Sequence, residues 1–320
     1  MVRGNKIILM GNTKLVSIAL CTYNGENFLR EQLDSLVNQT YTNTEIIIVD
    51  DCSKDKTFEI LEEYAQKFTF IKVYKNNSNL GYVKNFERAL LLCKGDYIAL
   101  CDQDDIWIED KIKLQVEGIG DNMLIYHDSE FITDHGNSMN KKMSDIKNMY
   151  QGQSYKVFLF FNCVSGHAVL MKKELIKYCL PFPKNIYYDQ WLAYSATNNG
   201  GVVYLNKVLV KYRQHVNSET NILKIKKTKR IKVLKNKQAA IELAKFQEFN
   251  KNTKHIFINK LIKLYEEKES SWICISLIVF LYKYYTSLLY ISKKSTISNM
   301  NFIFKNIWGG KLKRFMFIKS

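Results

Sequence analysis

The chain has 320 residues, 47% of them apolar and 13% aromatic, which is too hydrophobic for a disordered segment and long enough for one large domain or two ordinary ones. Its formal charge of +16 is confined to one region: residues 1–216 hold 25 basic and 25 acidic side chains, while 217–320 hold 22 and 6. Seven cysteines without a C-x-x-C pair argue against a disulfide framework and a zinc site, and IILM at 7–10 is too short for a secretion signal, so a reducing cytoplasm is expected.

The first two-thirds alternates short apolar runs with amphipathic stretches, the pattern of a mostly parallel sheet carrying helices. LVSIALC at 15–21 predicts a buried strand, followed by the turn TYNG and a helix with Phe28, Leu29, Leu33, Leu36 and Val37 on one face. EIIIVD at 45–50 predicts the next strand, then a helix bearing Phe58, Leu61 and Tyr64. FIKVY at 70–74, a loop with Asn79 and Gly81, and a helix over 83–93 repeat the unit. DYIALC at 96–101 and MLIYH at 123–127 predict two further strands. After about residue 215 the composition turns helical and Lys-rich. Two prolines, Pro181 and Pro183, and no Gly/Ser tract leave no obvious linker, and no repeat is present. The expected division is a leader over 1–14, an α/β domain over 15–216 and a basic helical region over 217–320.

In open α/β sheets, ligands bind beyond the carboxyl ends of the strands. Tyr23, Asp51, Asp102 and Asp104 all fall just past such ends, so they are expected along one sheet edge. Asp102 and Asp104 form a D-x-D, within LCDQDDIW at 100–107. Adjacent carboxylates repel unless compensated, so this is either a solvated turn or a site for Mg²⁺ or Mn²⁺. No G-x-x-x-x-G-K-[ST] and no G-x-G-x-x-G follows the first strand, which removes support for ordinary ATPases and dinucleotide enzymes.

VSIALCTYNGENFLREQLDSLVNQTYTNTEIIIVDDCSKDKT, then NLGYVKNFERAL, then GDYIALCDQDDIW, resemble glycosyltransferase family 2, and within it the rhamnosyltransferase-like branch that builds bacterial surface polysaccharides. The resemblance covers roughly 14–216. It implies a GT-A fold, a doubly wound mixed sheet flanked by helices, here with a basic α-helical C-terminal extension. It implies an inverting, metal-dependent transfer of rhamnose or another hexose from a dTDP- or UDP-sugar to a growing, lipid-linked polysaccharide.

By that resemblance, Thr22, Tyr23 and Asn24 lie beside the nucleotide base, and Asp51 accepts the imide N–H. Asp50 holds the loop; Lys84 and Asn85 sit near the donor, though Lys84 is equally readable as a solvated helix charge. Asp104 corresponds to the direct metal ligand and Asp102 to a carboxylate nearer the ribose that shares in the metal site. Asp105 is read as a cap of the next helix and Trp107 as core. YYDQW at 187–191 supplies the base, Asp189, with Tyr188 and Trp191 as a possible sugar platform. YRQHVNS at 212–218 resembles the family's YRxH: His215 completes the metal sphere or meets the diphosphate, and Arg213 is a second phosphate candidate. NCVSGHAVL at 162–170 resembles the acceptor-side segment, with Gly166 permitting close approach and His167 either packed or functional.

In the last third, LKIKKTKRIKVLKNK at 223–237 interleaves aliphatic and basic residues. WICISLIVFLYKYYTSLLYIS at 272–292 reads as an interfacial helix, ahead of a core helix or a membrane span interrupted by Lys283. Both suit an anionic membrane surface and a peripheral place on its inner face. Nucleic acid is disfavoured, because a carboxylate-lined edge on a neutral body repels phosphate. Two rivals remain. A non-catalytic GT-A module could recruit polysaccharide machinery to membranes; a nucleotidyltransferase would need a phosphate loop that is missing.

Overall fold

The computed structural model describes residues 13–184, 187–215, 235–247, 256–312 and 315. Its nine strands form one mixed sheet: β1 (Val16–Thr22), β2 (Thr44–Asp50), β3 (Ile71–Lys75), β4 (Tyr97–Cys101), β5 (Ile106–Trp107), β6 (Leu124–Ile132), β7 (Ser138–Lys142), β8 (Val169–Lys172) and β9 (Val202–Arg213). The order is β3-β2-β1-β4-β8-β6-β9-β5, with β7 added to β6. The first four strands are parallel; β8 runs antiparallel between β4 and β6, while β6 and β9 are parallel.

Helices connect and cover these strands: α1 (Leu29–Val37), α2 (Thr57–Lys67), α3 (Tyr82–Leu92), α4 (Lys111–Gly118), α5 (Met143–Ile146), α6 (Ile176–Cys179) and α7 (Tyr188–Asn199). The C-terminal part adds α8 (Lys235–Lys245), α9 (Ile256–Ser270), α10 (Ile275–Lys283), α11 (Tyr285–Leu288) and α12 (Thr296–Phe304).

β1 is buried along its whole length because helices cover both of its faces, which explains why its sequence is a near-continuous apolar run. Its side chains alternate between two cores. Val16, Ile18 and Leu20 join Leu29, Leu33 and Leu61 beneath α1 and α2. Ala19 and Cys21 join Phe86, Leu90, Leu192 and the C-terminal residues Leu261, Leu277 and Leu281 on the other face. Parallel register brings Thr22 opposite Asp50, so β1, β2 and β4 deliver their following loops to one edge.

The C-terminal helices therefore pack on the α/β body. Phe246 packs at a tilt against Tyr194 at 4.6 Å between ring centroids, Phe160 meets Tyr265 at 6.4 Å, and Lys293 donates to the Ser144 carbonyl at 2.6 Å. The run at 272–292 is not one helix. It breaks at Tyr284 between α10 and α11, and Ile273 forms a bridge with Trp308. Among the described residues no helix is long and apolar enough to cross a membrane. The basic stretch 223–237 lies outside the described residues apart from 235–237 in α8, as do residues 1–12 and 216–218.

Candidate functional site

Three loops meet at the carboxyl edge of β2-β1-β4. The loop after β1 is laced to the loop after β2: Asn24 N–H donates to Ser53 Oγ at 2.9 Å, Asn24 Oδ1 accepts from Lys54 N–H at 2.8 Å, and Gly25 N–H donates to Thr57 Oγ1 at 2.7 Å. Buried Thr22 donates its hydroxyl to Asp50 Oδ1, and Asp50 also accepts from the Ser53 amide at 3.0 Å. Asp50 is thus a loop anchor. Tyr23 leaves its side chain 45% exposed above this edge, open to a ligand.

The third loop is fastened by a residue that sequence reasoning passed over. Gln103, the middle of the D-x-D, accepts from Tyr23 N–H at 2.8 Å and donates to the Tyr23 carbonyl at 3.0 Å. A Cβ at Gly25 would stand 2.3 Å from Gln103 Oε1, so the carboxamide occupies the space a side chain there would need. The glycine in TYNG and the glutamine in DQD are spatial complements; only that pairing could have signalled it.

Asp51 faces inward. Its carboxylate is 2% exposed and accepts from Asn76 Nδ2 at 2.6 Å and from the Leu80 and Gly81 amides at 2.8 Å each. An imide donor would reach it only after the Leu80–Gly81 segment moves. Asn85 is buried and bridges Asn76 to the Val49 carbonyl. Lys84 is exposed and paired with Glu87.

Beyond β4, the acidic cluster divides. Asp104 Oδ2 lies 2.9 Å from His215 Nε2, although 111 residues separate them in the chain. Asp102 instead turns toward His167: its Oδ2 is 3.8 Å from His167 Nδ1, and Asp105 Oδ2 is 3.5 Å from the same nitrogen. The expected set Asp102, Asp104 and His215 is therefore met by one contacting pair. A second group, Asp102, Asp105 and His167, has donor atoms all within 4.8 Å of one another.

Asp105 is not the helix cap expected from sequence, since α4 starts only at Lys111 with Asp110 before it. It is fully buried, accepts from the Arg213 amide at 2.9 Å, and leaves Oδ2 without a hydrogen-bond partner. His167 is buried with Nε2 on Ser129 Oγ at 2.8 Å, which fixes the ring so that Nδ1 faces the two carboxylates. Burial lowers His167 to about 3, so it is a neutral imidazole. Two carboxylates, one with a buried orphan oxygen, and the neutral imidazole of His167 form a donor set that fits Mg²⁺ or Mn²⁺.

Burial, then the negative charges of Asp104 and Asp189, push Asp102 up to about 7. Burial likewise pushes Asp189 up to about 6, opposed by Lys147, by backbone amides and by the Asn162 side chain. Asp189 sits in the first turn of α7, where Oδ1 accepts the Gln190 amide at 2.6 Å. Asp189's charge acts on Asp102, and Lys147 and Asn162 act on Asp189, two partners that carried no sequence signal.

Several expected ligand contacts are instead packing. Arg213 is 1% exposed: it donates to the carbonyls of Asp104 at 2.8 Å and Asp134 at 2.7 Å, pairs with Glu31, and lies 4.8 Å over the Phe28 ring. Its guanidinium is consumed in holding the D-x-D loop, so it is not available to phosphate. Trp191 donates its indole N–H to the Cys179 carbonyl at 2.9 Å and stacks on Tyr194, which makes it core and not a sugar platform. Tyr188 is buried against Phe86 at 4.6 Å, and its hydroxyl fills the space a Cβ at Gly166 would need, 2.1 Å away. Gly166 thus makes room for a tyrosine and not for substrate. Trp107 is core, as expected.

A sequence profile described as glycosyl transferase family 2 matches residues 17–179. An uncharacterized glycosyltransferase of Haemophilus influenzae is 29% identical over 316 residues, 92% of each chain. The dTDP-rhamnosyl transferase RfbG of Shigella flexneri is 32% identical over 71% of this chain and 82% of its own. Among solved structures, S. aureus TarS 1-349 in complex with UDP-GlcNAc superposes with a TM-score of 0.54 at 19% identity, covering 86% of this chain and 82% of that one, a likeness of fold. With its mixed sheet, its loops gathered on one edge and the profile match over half its length, the chain belongs to glycosyl transferase family 2 and has the GT-A fold.

Proposed function

We propose that the protein is an inverting hexosyltransferase that uses a dTDP- or UDP-sugar and extends a lipid-linked saccharide of a bacterial surface polysaccharide. The observation that carries this reading is the Asp104–His215 contact beside Asp102, on the same edge as the open Tyr23 ring. Side chains from three distant parts of the chain meet at the edge where α/β folds bind nucleotides. RfbG, a dTDP-rhamnosyl transferase by name, makes dTDP-rhamnose the first donor to test.

In this reading Tyr23, with Thr22 and Asn24 shaping its loop, stacks on the base, and Asp51 accepts a hydrogen bond from the imide N–H once Leu80 and Gly81 shift. Asp104, His215 and Asp102 are the side chains that would hold a divalent cation, with Asp105 and His167 behind them. A bound cation would supply charge to offset the departing diphosphate. Asp189 takes the acceptor hydroxyl proton as the acceptor oxygen bonds to the anomeric carbon. The sugar–phosphate bond breaks from the opposite face, its electron pair leaving with the diphosphate, so configuration inverts. A raised carboxyl suits this role because it holds a proton more firmly than an ordinary Asp. Residues 15–216 act as the catalytic part, and 217–320 form an extension that keeps it on the inner face of the membrane, near its acceptor.

The test is nucleotide release from a panel of nucleotide sugars with and without Mn²⁺. Wild type releases nucleotide only with metal. Asp104→Ala abolishes release, and Asp189→Asn lowers kcat by about 10²–10⁴-fold while nucleotide binding persists. Unchanged biological effect in both variants would instead establish the recruiting module.

A further inference from the structure

α10 is apolar on both sides. Leu277 and Leu281 are buried in the core, while Ile275, Val279 and Tyr282, spaced four and three residues apart, form an outward stripe. That stripe continues into a second exposed group. Ile273 bridges to Trp308, and the Trp272 and Phe315 rings lie 5.7 Å apart. All seven residues are 48–64% exposed. Single exposed apolar side chains are ordinary, but a continuous edge with two tryptophans marks a surface that meets something other than water.

Charge identifies the partner. Residues 271–320 contain eight Lys/Arg and no Asp or Glu, and Lys283, Lys305 and Lys311 are exposed on this layer. Aromatic and aliphatic side chains with mostly basic neighbours, Glu269 beside Gly310 being an acidic one, match the boundary of an anionic lipid bilayer, where indole and phenol rings settle at headgroup depth and ammonium groups meet lipid phosphate. No helix among the described residues is long and apolar enough to cross a bilayer.

We propose that the edge formed by Trp272, Ile273, Trp308, Phe315 and the outer stripe of α10 inserts into the headgroup region of an anionic membrane. This deepens the membrane placement above and rests on it only for the kind of surface met; it requires no sugar chemistry.

The four tryptophans provide the test. Trp107 and Trp191 are 3% exposed, whereas Trp272 and Trp308 are on the edge. The full chain is mixed with vesicles containing phosphatidylglycerol, and tryptophan emission is recorded with and without brominated acyl chains. A blue shift with bromine quenching is expected, and both vanish in Trp272→Ser/Trp308→Ser, which binds vesicles roughly tenfold or more weakly. Because the quenching is read on wild type, the result stands even if the double variant folds poorly. Vesicle binding without shift or quenching would overturn the proposal. So would absence of binding, or a lipid-free oligomer whose tryptophans are already blue-shifted, which would make the partner protein. Nucleotide release with a water-soluble acceptor is measured alongside, so loss of the transferase reading and loss of this one are separate results.

Discussion

At the scale of single residues, the site is organised by side chains that bind the protein itself. Gln103 locks the backbone of Tyr23, and the locked geometry leaves no volume for a side chain at position 25. Gly25→Ala should therefore destabilise by about 1–3 kcal/mol through overpacking. In a Gln103→Ala background the same change should cost much less, because the obstructing carboxamide is gone. Thermal unfolding of the four proteins measures this; additive effects would show that the two positions do not share space. Asp189 provides a second check. With its pKa pushed up to about 6, the fraction ionised falls below that pH, so kcat/KM should drop about tenfold per unit below pH 6 and level off above about 7. A rate profile flat to pH 5 would mean that another group takes the proton.

The same residues show what the sequence made visible. The D-x-D, the Tyr23 loop and the Asp104–His215 pairing were legible because strand ends and family motifs place them. The inward turn of Asp51, the consumption of Arg213 by carbonyls and the packing of Tyr188 and Trp191 were not. Which way a side chain points depends on the volume its neighbours leave, and that volume is set by residues far along the chain, such as Glu31 and Phe28 for Arg213.

At the scale of elements, β1 to β4 were legible because helices on both faces make them continuous apolar runs. The later strands were harder. β7 is SMNKK, a polar edge strand; β5 has two residues; β9 runs parallel to β6 with register shifts about His127 and Asp128 and carries polar Asn206 and Lys207 midway. α10 is also ambiguous by composition, since a nine-residue helix whose only polar side chains are Ser276 and Lys283 fits a core helix or an interfacial one. Its two faces separate in the structure, and mutation should separate them in energy. Leu281→Ala removes a buried side chain and should cost about 2–5 kcal/mol, whereas Val279→Ala should stay within about 0.5 kcal/mol. Urea unfolding of both variants measures the contrast, and equal losses would mean that Val279 is covered.

At the scale of the whole molecule, one sheet divides its labour. Its parallel half gathers the loops after β1, β2 and β4 on one edge, the turn leading into the antiparallel β8 sets His167 behind the acidic cluster, and β9 returns the chain so that His215 reaches Asp104. The C-terminal helices share a core with the same sheet, so the basic layer and the acidic edge belong to one folded body.

Asp104 and His215, 111 residues apart in the chain, are proposed to be the side chains that would hold a divalent cation together with a nucleoside diphosphate. Titration of Mn²⁺ followed by electron paramagnetic resonance, with and without dTDP or UDP, tests this directly. Wild type should bind Mn²⁺ much more tightly when the nucleotide is present, and Asp104→Ala and His215→Ala should each lose that enhancement while remaining folded. Enhancement undiminished in both folded variants would contradict the account.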